Sequence, residues 1–332
     1  WFMPYALACG NTYIVKPSGK VPGSMTRIFE LFEDLHLPAG VLNMVHGGKD
    51  TVNAILENQY IKAISFVGSS DVAKYIYRTG SVNGKRVQAL GGAKNPVVIM
   101  PDADVNTTVK IICDSAYGCA GQRCLAAAIV LTVGKAGDVF PAKLAEASKE
   151  KKLGYGMTSG VDIGPVITGE SKERINKLIE KAVSEGAKLL LDGRNIKVPG
   201  GEKGFFVGPT ILENVDVNSE IYNTEIFGPV LIIKNVDSLD EAIKLANHGN
   251  HGNAASIFTT SGAAARKFRH DVQAGNIGIN IGIAAPMAFF PFSGWKESFF
   301  GDLHGQSFHA VEFYTQTKVV IERWHDEWTR KF

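Results

Sequence analysis

Cys124 follows Arg123 in the run Tyr117-Gly118-Cys119-Ala120-Gly121-Gln122-Arg123-Cys124-Leu125. A cysteine attacks a carbonyl carbon as its thiolate, and a neighbouring cation is expected to lower the thiol from about 8.5. Cys124 is therefore a candidate nucleophile and Arg123 a candidate activator of its thiolate. The same pair also fits a buried cysteine beside a surface arginine. Cys9, Cys113 and Cys119 read as small buried hydrophobes. The four cysteines form no C-x-x-C pair, and no histidine cluster completes a zinc pattern, so no metal is expected. Sparse, unpaired thiols point to a reducing compartment.

Three further motifs carry chemistry. In Phe66-Val67-Gly68-Ser69-Ser70 an apolar run ends in small residues before a helical pattern. Gly68 and Ser69 there would let backbone and hydroxyl approach a phosphate at a helix N-terminus, or would simply cap the helix. Lys16, in Lys16-Pro17-Ser18, stands at a strand's end, where it could bond ribose hydroxyls or merely enter a turn. Glu225-Ile226-Phe227 puts a carboxylate and an aromatic ring two apart, on one face of an extended segment. A ribose and a ring would suit that pair; so would a strand entry with a buried Phe. The chain has no G-x-G-x-x-G after its first strand, so a nucleotide would need another geometry.

The elements that must position these residues alternate. Strand patterns at 11–15, 41–45, 61–67 and 86–90 are separated by helical spacing. The first helix opens near Pro22 and stops at Pro38-Ala39-Gly40. Such alternation predicts an α/β, doubly wound parallel sheet with ligands at the carboxyl ends of its strands. After Gly91-Gly92-Ala93 the pattern resumes as strand 97–100, helix 105–117, the Cys124 turn and strand 128–133. A later helix carries Ile175, Leu178, Ile179 and Ala182 on one face, 192–204 reads as an exposed loop, and 313–320 is a strand candidate. A tail strand of that kind often pairs with another subunit's sheet.

With 332 residues the chain is long enough for two domains. Hydrophobic residues at 45%, charged residues at 20% and a net charge of +2 give no reason to expect nucleic acid or membrane partners. No apolar stretch approaches the roughly 20 residues of a membrane span. The sequence opens at Trp1 without methionine and shows no charged-then-apolar signal pattern and no basic leader.

Taken together and in order, these motifs resemble the aldehyde dehydrogenase superfamily. The resemblance is carried by Ala8-Cys9-Gly10-Asn11-Thr12 with Lys16-Pro17-Ser18, Ile64 through Ser69, Gly121-Gln122-Arg123-Cys124, and Glu225-Ile226-Phe227-Gly228-Pro229. It is nearest to the CoA-acylating, methylmalonate-semialdehyde branch, through Gly84-Lys85-Arg86-Val87-Gln88, Gly92-Ala93-Lys94-Asn95, the run from Pro286 to Lys296, and Phe313-Tyr314-Thr315-Gln316. The resemblance implies an incomplete NAD-binding domain at 1–92 and an α/β catalytic domain of aldehyde dehydrogenase type at 93–305. It leaves 306–332 as a C-terminal segment with a candidate oligomerisation strand.

The chemistry it implies is oxidation of a short semialdehyde on Cys124, hydride transfer to NAD, loss of CO2, and release of acetyl or propionyl to CoA. Arg123 would hold the substrate carboxylate. Lys16, Gly19, Lys20, Gly68, Ser69, Gly91, Glu225 and Phe227 are the cofactor-facing positions. Hydrolytic relatives carry a water-activating Glu where this chain has Leu90. Without that base a thiol is the better acceptor, since it ionises far more readily than water. Where the family has Glu after Lys-Pro-Ser, Gly19 and Lys20 stand here, which removes an adenosine contact. The resemblance begins partway into the family's sequence. It implies a chain lacking the N-terminal portion, including an Asn oxyanion donor whose loss costs about 10²–10³ in rate. Hydrolysis, or an inactive homologue acting as a binding partner, are the alternatives. The family implies a homo-oligomer, dimer or tetramer, in the cytoplasm or, in a eukaryote, the mitochondrial matrix.

Overall fold

The computed structural model describes residues 1–324. Its N-terminal strands are short: β1 (Tyr13–Val15) and β2 (Leu42–Met44) pair in parallel. β3 (Ala63–Val67) and β4 (Arg86–Leu90) form a second parallel ladder. The expected N-terminal sheet is thus present as two separate ladders. Helix Pro22–Phe32 starts at its proline but stops short of 38–40. A 3-10 turn over Glu33–Leu35 ends it, closed by His36 at φ 49°.

Past β4 the chain crosses Gly91-Gly92 into a different sheet, built on β5 (Asn95–Ile99) and β6 (Ala127–Val133). The later strands are β7 (Lys188–Leu191), β8 (Thr210–Glu213), β9 (Val230–Val236), β10 (His251–Gly252), β11 (Ala254–Phe258) and β12 (Asn276–Ile279). The seven-stranded order is β12-β11-β5-β6-β9-β8-β7, parallel except for β7. Its central strands are near-continuous Val, Ile and Leu, as a sheet buried on both faces requires. Two short strands return across the molecule. β13 (Trp295–Lys296) pairs with β10, and β14 (Phe299–Phe300) runs antiparallel to β4, setting Phe299 opposite Leu90.

Helix Val105–Tyr117 has the predicted bounds, fixed at its start by Asp104 accepting the Thr107 N–H at 2.8 Å. Helix Gly169–Ser184 buries the four predicted apolar residues. One element differs. Phe313 and Tyr314 end the helix Ser307–Tyr314, and residues 315–320 join no ladder. Helical spacing lets both rings enter a core with Phe2, Ala6, Leu90 and Leu125. The Tyr314 hydroxyl lies 2.5 Å from Ser65 Oγ, and Arg86 donates to the carbonyls of Glu312 and Thr315. Among the described residues no strand edge pairs with 315–324, so that backbone joins no ladder. Residues 325–332 of the predicted C-terminal segment lie outside the described residues.

Candidate active site

Cys124 reaches its place through a tight backbone path. After Tyr117 the chain takes a 3-10 turn in which Cys119 and Ala120 have left-handed φ of 52° and 55°. Gly121 follows at φ 71°, where a Cβ would run into the Gly228 carbonyl. Only glycine fits that contact, and it presses the Cys124 loop against the loop bearing Glu225. The Cys124 side chain is half-buried at the edge of a core that includes Leu90, Leu125 and Phe292. Leu90 itself is 4% exposed.

The electrostatics differ from the sequence expectation. Burial, and then the Glu225 carboxylate, push the Cys124 thiol up from its usual 9.0; N–H groups of Cys124 and Leu125 pull the other way. Arg123 does not act on it. Its side chain lies over Gly118, with Nε donating to Cys119 Sγ at 3.3 Å, because the left-handed turn folds Cys119 back toward it. The predicted lowering of the Cys124 thiol by Arg123 is therefore corrected. The guanidinium is exposed, and among the described residues it makes no ion pair.

Glu225 is held opposite. Its Oε1 accepts the Ala93 N–H at 3.0 Å, and burial pushes its carboxyl up against the pull of that N–H, Lys94 and Arg174. A narrow crevice of about 20 Å³ is lined by Ala93, Gly121, Arg123, Glu225 and Phe227. A larger groove, about 460 Å³, lies between helices Val105–Tyr117 and Ala136–Lys149 and touches none of the predicted site residues. Room alone does not locate chemistry, and we place the site beside the crevice because a guanidinium and a half-buried carboxylate line it and the carboxylate's charge reaches the nearby nucleophile candidate Cys124.

The remaining predicted residues follow the carboxyl ends of parallel strands. Lys16 ends β1, with Nζ donating to the Pro17 carbonyl at 2.7 Å; Gly19 and Lys20 are exposed in the loop beyond. Gly68 and Ser69 follow β3. A Cβ at Gly68 would strike the Phe66 ring, and the Ser69 hydroxyl at the start of helix Ser70–Val82 makes no capping bond. Gly91 is buried, its N–H donating to the Ser298 carbonyl at 2.9 Å. A Cβ at Gly92 would come within 2.7 Å of Glu225 Oε2. An uncapped helix N-terminus, a lysine beyond a strand and a carboxylate over a glycine turn form a donor set that suits a dinucleotide's phosphates and riboses.

Several residues were not singled out in the sequence. Ser70, rather than Ser69, bridges the turn: its Oγ accepts the Gly92 N–H at 3.0 Å and donates to the Glu297 carbonyl at 2.8 Å. Lys94 is wholly buried, pushed down to about 7 mainly by burial, and its Nζ donates to the carbonyls of Ile221 at 2.7 Å and Thr224 at 2.9 Å. Arg174 donates to the carbonyls of Glu225 and Ile226. Two cations thus grip the backbone around Glu225 while leaving its carboxylate unpaired. Lys94 and Asn95 sit in a run that carried the resemblance, which was the only available signal. Arg174 lies in a charged helix face that gives no clue from sequence.

The aldehyde dehydrogenase family's sequence profile matches residues 1–320. Over 324 residues the chain is 50% identical to malonate-semialdehyde dehydrogenase of Halalkalibacterium halodurans, covering 98% of this chain and 66% of the relative. The structure of methylmalonate-semialdehyde dehydrogenase from Oceanimonas doudoroffii is 44% identical with a TM-score of 0.96, covering 99% of this chain and 68% of that one. A Sinorhizobium meliloti 1021 structure solved in complex with NAD is 41% identical with a TM-score of 0.95, covering 98% and 66%. The chain thus spans about two thirds of the length of these proteins. With the profile matched through the Cys124 turn, the Glu225 loop and nearly the whole sequence, the chain belongs to the aldehyde dehydrogenase family.

Proposed function

We propose that the chain carries the catalytic machinery of an NAD-dependent, CoA-acylating dehydrogenase of malonate or methylmalonate semialdehyde. The observation that carries this reading is Leu90, buried in the same apolar cluster that Cys124 borders. A leucine there takes no proton from water, so the acyl group needs an acceptor that ionises by itself, as a thiol does. The names of the relatives support a short semialdehyde, and the NAD-bound neighbour supports the cofactor.

Cys124 Sγ bonds to the aldehyde carbon, and the oxyanion takes the Cys124 N–H. NAD, when bound, supplies the hydride acceptor. Lys16 and Glu225 hold its riboses, Ser69 its pyrophosphate, Gly91 lines the nicotinamide side and Phe227 packs close by. The thioester left on Cys124 loses its β-carboxylate as CO2, the electron pair passing toward the thioester carbonyl. The carbon then takes a proton. The CoA thiolate displaces Cys124 and leaves as acetyl-CoA or propionyl-CoA. Arg123 holds the substrate carboxylate through its exposed guanidinium.

A second reading is hydrolysis, favoured by the Glu225 carboxylate, whose charge reaches Cys124. One assay separates the two. NADH release from malonate semialdehyde, with acyl-CoA formed only when CoA is present, supports acylation. Acid formed equally fast without CoA supports hydrolysis. Cys124→Ala is expected to abolish NADH release and leave NAD binding nearly unchanged. Alkylation of Cys124 in a chain that releases no NADH points to an inactive homologue acting as a binding partner.

We also propose a homo-oligomer. β12 is an edge strand with Ile277 and Ile279 exposed, and Val319, Val320 and Ile321 of the tail are exposed and unladdered. The tail of a second copy is the natural partner for that edge.

A further inference from the structure

Two buried asparagines converge on the backbone of Cys124. Asn95 Nδ2 donates to the Cys124 carbonyl at 2.8 Å and to the Ala126 carbonyl at 2.9 Å, while its Oδ1 accepts the Ala254 N–H at 3.1 Å. Asn253 Nδ2 donates to the same Cys124 carbonyl at 2.7 Å. Asn253 is itself held from the sheet's edge. Its carbonyl accepts both the N–H and the Nδ2 of Asn276 at 3.0 Å, and Asn276 Nδ2 also donates to the Ser293 carbonyl at 2.6 Å. All three side chains are buried.

One donor would satisfy a buried carbonyl; two, one from β5 and one from the link between β10 and β11, fix its direction. The peptide that begins with this carbonyl ends in the N–H of Leu125, and a peptide is planar. Fixing the carbonyl therefore fixes where that N–H points. That N–H is among the backbone groups that oppose the burial keeping the Cys124 thiol protonated. Two donors on the carbonyl also polarise the peptide and strengthen its N–H as a donor. Amides do this without adding charge beside a sulfur already facing Glu225.

We propose that Asn95 and Asn253 are positioning residues for the Cys124 nucleophile, aiming the Leu125 N–H at its sulfur through the Cys124 carbonyl, and that Asn276 steadies Asn253. The inference rests on the reading of Cys124 as the reactive thiol, but its test does not need turnover.

The test is the rate of iodoacetamide alkylation of Cys124 against pH in the full chain. The rate is read by mass spectrometry on the tryptic peptide, which cleavage after Arg123 separates from Cys119. Asn253→Leu keeps the shape and removes the donor. Its alkylation profile is expected to move to higher pH, with the rate at pH 7.5 about fivefold lower. Asn276→Ala, which does not touch Cys124, is expected to give a smaller shift in the same direction. If Asn253→Leu melts cooperatively near the parent temperature and keeps the parent profile, the proposal is wrong. If Asn253→Leu does not fold, Asn276→Ala decides, and an unchanged profile overturns it. Where the parent releases NADH, Asn253→Leu should lower kcat more than it raises KM. A parent that releases none defeats the proposed function but leaves the alkylation result to judge the clamp.

Discussion

At Cys124 the surroundings oppose ionisation, because the sulfur is half-buried beside a carboxylate. Its protonated form dominates at neutral pH, and reactivity falls as pH drops below the raised value. Removing the Glu225 charge removes one cause of that elevation. Glu225→Gln is expected to move the Cys124 alkylation profile toward lower pH and to weaken NAD binding, both measurable on the unreacted chain. A profile that stays in place would show that burial alone sets the thiol. Cys124, Arg123 and Glu225 were legible as residue types in short runs. The direction of Arg123 was not, because it depends on the left-handed turn at Cys119, and no local pattern announces such a turn in a cysteine. The buried carboxylate reaching the thiol was also invisible, since 101 positions of sequence separate Glu225 from Cys124.

The elements were more readable where a local signal sufficed. Asp104 and the apolar spacing of 105–117 mark the helix leading to Cys124, and both of its ends match. The start of the tail was misread: its aromatic and β-branched residues favour a strand, while burial of Phe313 and Tyr314 against distant residues selects a helix for those two positions. Gly121 lies close against Gly228, leaving no room for a Cβ. Gly121→Ala adds a methyl at positive φ where a backbone carbonyl stands. It is expected to destabilise the fold by about 2 kcal/mol or more, read as a lower unfolding midpoint. An unchanged midpoint would mean that the two loops separate at little cost.

For the molecule as a whole, the α/β class was legible from the alternation of strand and helix patterns. The split of the N-terminal strands into two ladders was not, because a propensity fixes a strand but not its neighbour. Across the described residues no helix is long and apolar enough to cross a membrane. The exposed edge of β12 carries the expectation of self-association. Light scattering is expected to give a mass of at least two chains. Ile279→Lys, which sets a charge on that edge, should shift the equilibrium toward single chains while the melting curve stays cooperative. Single chains in the parent at high protein concentration would count against the edge as an interface.

The short stretch from Trp295 to Phe300 ties the small ladder with β10 to the ladder of β3 and β4. It pairs with β10 through one end and with β4 through the other, and between them Ser298 Oγ donates to the Gly92 carbonyl at 2.7 Å and accepts the Gly252 N–H at 3.1 Å. A seam stitched at three points within six residues resists hinging of one ladder on the other. For the proposed dinucleotide, exchange would then proceed by local yielding of side chains and loops rather than by separation of these ladders.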